Sequence, residues 1–152
     1  SASLQALSAV RASFQTHKLV LTPDQLKAAL LRRYRKARKL AKRCAQGADA
    51  ETLHDWRKHI KYHGLQCEAL APLWPSLKQR HRQMRRLWTL LGDHQDLHEL
   101  VQIMEGKAPA QLDAAEVESM LALLRSRQHS LARRAIGAGE THFAQTAKHW
   151  QF

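Results

Sequence analysis

A chain of 152 residues has the length of one domain, and 25 Lys+Arg against 13 Asp+Glu give it a formal charge of +12 at pH 7. Hydrophobic residues make up 44%, enough for a core and too many for intrinsic disorder. No apolar run approaches the roughly 20 residues of a membrane helix, no signal-type apolar stretch opens the chain, and two cysteines make no disulfide framework. These features describe a very basic, soluble, cytoplasmic domain over residues 1–152 with no membrane attachment. The absence of an initial Met reads as an excised or processed piece.

The chain reads as helices almost throughout, because no period-2 run rich in Val, Ile or Thr occurs. Residues 1–18 form a weak first helix. Thr22-Pro23-Asp24-Gln25 then supplies an N-cap, a proline at the first helical position and a glutamine at the third, opening a helix over 23–45 that Gln46-Gly47 stops. A third helix runs over 50–71, after Asp49 and before Pro72. A fourth runs over 76–105, with Gly92 as a point of bending. Asp113-Ala114-Ala115-Glu116 is a capping box for a fifth helix to Ile136. Gly137-Ala138-Gly139 interrupts it, and residues 140–150 resume as a sixth. Short loops between long helices predict an all-α antiparallel bundle of five or six helices.

The helix faces are unequal. Between Lys27 and Arg43 the second helix carries nine Lys/Arg and no acid. Leu26, Leu30, Ala37, Leu40 and Cys44 form its apolar seam, beside a basic row of Arg32, Lys36, Lys39 and Arg43 and another of Arg35, Arg38 and Lys42. On the third helix Leu53, Trp56, Ile60, Cys67 and Leu70 share one stripe. His54, Arg57, Lys58 and Lys61 recur at helical spacing on a second arc. The fourth turns Met84, Leu87, Leu91 and Val101 inward and Lys78, Arg82, Arg85 and Arg86 outward.

Like charges at i,i+4 destabilise a helix by a few tenths of a kcal/mol per pair, and a solvated face usually mixes signs. Three successive helices with basic rows therefore point to an anion that supplies the missing charge, whether phosphate polymer, nucleic acid or acidic surface. Trp56, Trp74, Trp88 and Tyr34 lie on or near the apolar seams and give no stacking platform for bases. The pairs His59/His63 and His94/His98 have i,i+4 spacing without the HExxH glutamate, and Cys44 and Cys67 read as buried thiols. No phosphate-cradling glycine loop, nucleophile elbow or carboxylate pair appears, so neither a cofactor nor an enzymatic site is expected. His54, Asp55, His94 and Asp96 leave open a metal-dependent hydrolase of phosphoanhydrides. Phosphate contacts alone leave open a non-specific nucleic-acid binder.

The segment His54-Asp55-Trp56-Arg57-Lys58-His59-Ile60-Lys61 resembles the HxxRKxxK signature of the conserved-histidine α-helical domain family, CHAD. Leu90-Leu91-Gly92-Asp93-His94-Gln95-Asp96 resembles that family's LLGxxxD signature, and Arg33-Tyr34-Arg35-Lys36-Ala37-Arg38-Lys39 its basic helix. Gly64-Leu65 and Gln95 depart from the family's more basic pattern. The resemblance implies a non-enzymatic helical module that binds inorganic polyphosphate, found beside triphosphate-tunnel enzymes and at polyphosphate granules. It places anion binding at His54, Arg57, Lys58 and Lys61 and on the basic helix at Arg35, Lys36, Arg38 and Lys39. The face pattern adds Arg32, Arg82 and Arg85, and Asp96 is expected to orient a basic side chain. One copy of the motifs corresponds to a C-terminal half-domain, for which a homodimer would restore the second bundle.

Overall fold

The structure, a computed structural model, describes residues 21–107 and 111–147. It contains four helices: α1 (Pro23–Ala45), α2 (Ala50–Leu70), α3 (Leu77–Gly106) and α4 (Ala114–His142). No strand occurs among the described residues. Three of the starts are written in local chemistry. The Thr22 hydroxyl accepts from the Gln25 amide at 3.3 Å while the Gln25 side chain accepts from the Thr22 amide at 2.9 Å. Asp49 accepts from the Thr52 amide at 2.7 Å, and Asp113 and Glu116 close a reciprocal box at 2.8 and 2.9 Å. Each such cap satisfies amides that have no partner inside the helix. After α1 the backbone turns at Gly47 with φ of +131°, which a side chain would strain.

The expected count of five or six helices is corrected to four among the described residues. The expected helix over 1–18 lies outside them. The second correction concerns Gly137-Ala138-Gly139, which does not break the last helix, since α4 continues to His142. A helical glycine costs only about 1 kcal/mol, and here the packing requires one. A Cβ on Gly139 would overlap the indole of Trp56, so the missing side chain is what lets α4 meet α2. Gly64 serves the same way under the ring of Trp88. Helix ends otherwise fall within a residue of expectation.

The short connections make consecutive helices antiparallel. α3 packs against both α2 and α4, and α4 closes back on α1. The core joins Tyr34, Leu40, Trp56, Ile60, Met84 and Leu87, and a smaller cluster joins Leu30, Cys67, Ala71 and Leu77. Full burial of one such large side chain stabilises by roughly 1.5–3 kcal/mol. Cys44 and Cys67 are buried free thiols, and burial pushes their pKa up to about 11 and about 12. They are core atoms, not nucleophiles.

Candidate functional site: a basic groove between the first two helices

Filling the core with one face of each helix leaves the charged faces of α1 and α2 side by side. Between them runs a groove of about 410 Å³ lined by Ala29, Arg32, Arg33 and Lys36 of α1 and His59 and Gln66 of α2. Arg32 and Lys36 are exposed at its rim. Arg33 is held in place: its Nη1 donates to His59 Nδ1 at 3.4 Å, and its guanidinium lies 5.3 Å from the centre of the Tyr62 ring. Burial pushes the His59 pKa down, and the positive charges of Lys36, Arg33 and Lys58 push the same way against Asp55. The imidazole is therefore neutral at pH 7 and free to accept from Arg33.

A carboxylate stands at the edge of the groove. Asp55 lies 3.2 Å from Lys58 Nζ and 3.8 Å from His59 Nε2. Burial alone would raise its pKa, but the Lys58 hydrogen bond and the charges of His59, Lys58 and Lys36 outweigh that and lower it. Asp55 stays ionised and offsets part of the positive field where α1 and α2 face each other.

The remaining residues expected at the site divide among four places. Arg35, Lys39, His54, Lys58 and Lys61 are exposed on the outer faces of α1 and α2. Arg57 shares their helix but turns onto α3, where its guanidinium packs against Gly92. Arg38 reaches the end of α4, its Nε donating to the Phe143 carbonyl at 2.9 Å. Arg82 and Arg85 sit on the far side of the bundle, in a hollow of about 650 Å³ shared with Arg86, Arg134 and His142 over a floor of Leu87 and Leu90. Among the described residues, the α1–α2 groove and this hollow are basic surfaces on different helix pairs.

Sequence reasoning passed over Arg33, His59, Arg134 and Arg80. Arg33 and His59 stand inside the quoted motifs, and their alignment appears only when α1 and α2 pair. Arg80 was legible: it stands 4, 7 and 11 residues before Met84, Leu87 and Leu91, on the apolar seam. Its guanidinium is buried between the rings of Tyr34 and Phe143, 5.1 and 5.2 Å from their centres. Such cation–π contacts hold a desolvated cation, and burial lowers its pKa. The histidine pairs divide as well, for His63 is buried 3.8 Å from Cys67 Sγ while His59 faces the groove. His94 is buried, and His54 is exposed. Among the described residues no three His, Cys, Asp or Glu side chains gather where they could hold a metal ion, and His54, Asp55, His94 and Asp96 form no such cluster.

The family model described as CHAD domain matches residues 2–105. This chain belongs to the CHAD family. The match takes in α1, α2 and all but the last residue of α3, and with them the whole groove. Neither a curated protein nor a solved structure matches the chain. No helix among the described residues is long and apolar enough to cross a membrane.

Proposed function

We propose that this CHAD protein binds inorganic polyphosphate along the α1–α2 groove and the exposed basic rows beside it, without catalysing a reaction. The observation that carries this reading is the alignment of Arg32, Arg33 and Lys36 along one wall of the groove, none of whose lining residues is a carboxylate. A helix rises about 5.4 Å per turn, so cations one turn apart can keep pace with an extended chain of phosphates. Arg32 and the pre-positioned Arg33 offer planar forks to phosphate oxygens, and Lys36 offers a point charge. Release of counterions from the polymer supplies much of the binding free energy. His54, Lys58 and Lys61 extend the field over the outer face of α2, and Arg35 and Lys39 over α1. Arg82 and Arg85 form a second contact area behind the bundle. Polyphosphate granules and a neighbouring triphosphate-tunnel enzyme are the settings this reading implies.

The test is titration of long polyphosphate at three salt concentrations, with duplex DNA as competitor at matched phosphate. Polyphosphate binding that weakens with salt, and weakens further in Arg32→Ala and Lys36→Ala but not in Arg127→Ala, supports the proposal. DNA that competes on equal terms would make the groove a general polyanion surface, and equal behaviour of the three variants would place the site elsewhere.

A further inference from the structure

Among the described residues, the lower part of the bundle is enclosed by all four helices and its other end by two. The α1–α2 loop meets α3 and α4 at the level of His94 and Gln128, where Ala48, Ala50 and Leu53 approach them. Residues 95–106 of α3 run past that level for about 18 Å at 1.5 Å per residue, and the first turns of α4 return beside them. Val101 and Met104 are buried on α3, and Val117, Leu121 and Leu124 are half-buried on the returning turns of α4. An ion pair of Arg125 with Glu105 ties the helices together. The result is a two-helix arm.

The arm differs from the body in both charge and surface. Residues 95–127 hold six carboxylates against three cations, Lys107, Arg125 and Arg127, which makes a net −3 within a chain of +12. The arm also exposes four large apolar side chains: Leu100, Ile103 (64% exposed), Met120 and Leu123 (70% exposed). Leu100 and Ile103 each precede a packed position of α3 by one residue, as Met120 and Leu123 do on α4. In an antiparallel pair an equal offset puts both helices' side chains on one side. Asp96 and Glu99 on α3 and Glu116 on α4 fall at helical spacing from this apolar strip. Arg127 and Lys107 stand four residues after Leu123 and Ile103, so carboxylates outnumber cations around an exposed apolar face, the mark of a docking surface.

The complement is on the body of the same molecule. On the outer face of α2, Lys58, Lys61, Tyr62 and Leu65 share one arc, Tyr62 four residues after Lys58 and Leu65 four after Lys61. Tyr62 and Leu65 are exposed apolar groups among cations. We propose that the acidic arm of one copy docks on the α2 face of a second copy, so that the chain associates head to tail and polyphosphate releases it. The two surfaces in this contact differ, so the contact is heterologous, and copies add head to tail or close a ring. The arm's carboxylates occupy the cations that a polyphosphate chain would otherwise use. The ligand and the second copy therefore compete.

The experiment is solution mass by light scattering at low salt, over a range of protein concentrations, with and without long polyphosphate. Wild type is expected to grow in mass with concentration and to return to monomer in salt or polyphosphate. The double variants Ile103→Ser/Leu123→Ser and Tyr62→Ser/Leu65→Ser change exposed positions, and their helicity is checked by circular dichroism. Each alone should be monomeric, and a one-to-one mixture should give a dimer through the one intact pair of faces. A monomeric wild type at every concentration, or folded variants that stay monomeric on mixing, overturns the proposal. Mass that rises on adding polyphosphate also overturns it, in favour of two copies facing each other across the polymer. The competition arm rests on the polyphosphate reading and the mixing arm does not, so failure of either reading is seen separately.

Discussion

A Cβ built on Gly92 of α3 would stand 3.4 Å from Nε and Nη2 of Arg57 on α2, so the two signature motifs of the chain meet there as a guanidinium resting on a glycine. That separation is ordinary contact, and a methyl group fits. Gly64 and Gly139 differ, because a Cβ on either would overlap a tryptophan ring, while Gly137 has open space around it. Replacing each glycine by alanine should therefore sort the four. Gly137→Ala and Gly92→Ala are expected to stabilise by up to about 1 kcal/mol, through helix propensity. Gly64→Ala and Gly139→Ala should destabilise by about 1–3 kcal/mol, as overpacked sites do. Urea denaturation midpoints check this. A stabilised Gly139→Ala would mean that Trp56 can retreat, and that the α2–α4 contact is looser than described.

Arg38 separates architecture from binding. Its Nε–H donates to the Phe143 carbonyl and Nη2 to that of Ala144 at 3.5 Å, while the neighbouring Tyr34 hydroxyl donates to the Gln145 carbonyl at 2.7 Å. A basic side chain bonded to carbonyls at a helix C-terminus satisfies groups with no partner inside the helix. Arg38→Ala is expected to cost about 1.5–3 kcal/mol of stability, the range for a charged hydrogen bond. It should change the salt slope of polyphosphate binding much less than Arg32→Ala does. The reverse pattern would return Arg38 to the binding surface.

Most of the fold was legible because capping residues and apolar periodicity are local. Thr22, Asp49 and Asp113 announced three helix starts, and Met84, Leu87 and Leu91 announced a seam. Gly139 misled because its purpose lies in Trp56, 83 positions away in the chain, where no local pattern can show it. The basic character of the site was legible for the same reason as the helices, from charge at helical spacing. Its division was not. Which arginine of a basic run lines a groove, caps a helix or enters the core depends on which helix stands opposite, as Arg33, Arg38 and Arg80 show.

His63 makes stability depend on pH. It is fully buried beside Cys67, with the Tyr34 ring centre 5.7 Å away, and burial with the nearby charge of Arg80 pushes its pKa down to about 3. The unfolded chain takes up this proton near pH 6.5, while the native chain does not until about pH 3. Between those values the unfolded state binds more protons, so stability falls as pH falls, by up to about 1.4 kcal/mol per unit from this group. Burial lowers the pKa of His59, His94 and His142 as well, and they add to the same trend. His63→Gln removes one titrating group and should flatten the dependence between pH 6.5 and 4. Denaturation midpoints across that range decide it, and an unchanged slope in the variant would place the sensitivity elsewhere.

Asp55 offers the sharpest test of the groove, because it is the carboxylate that neutralises cations there. It holds Lys58 at 3.2 Å and faces His59 Nε2 at 3.8 Å, and its charge is the one influence that raises the His59 pKa. Asp55→Asn keeps the size of the side chain and removes the charge. The exposed Asp55–Lys58 pair contributes at most about 1 kcal/mol to stability, so the variant should fold. With the repelling carboxylate gone and Lys58 released, polyphosphate is expected to bind several-fold more tightly at low salt. The gain should shrink as salt rises, since it is electrostatic. The pH dependence follows with a definite sign. Wild-type binding should strengthen below pH 6.5 as His59 takes up a proton in the groove. In Asp55→Asn the same rise should begin at a lower pH, because the charge that favours the imidazolium has been removed. Titrations at pH 7.5, 6.5 and 5.5 on both proteins check both statements. If Asp55→Asn binds no better than wild type at pH 7.5, the polymer does not pass along the α1–α2 groove.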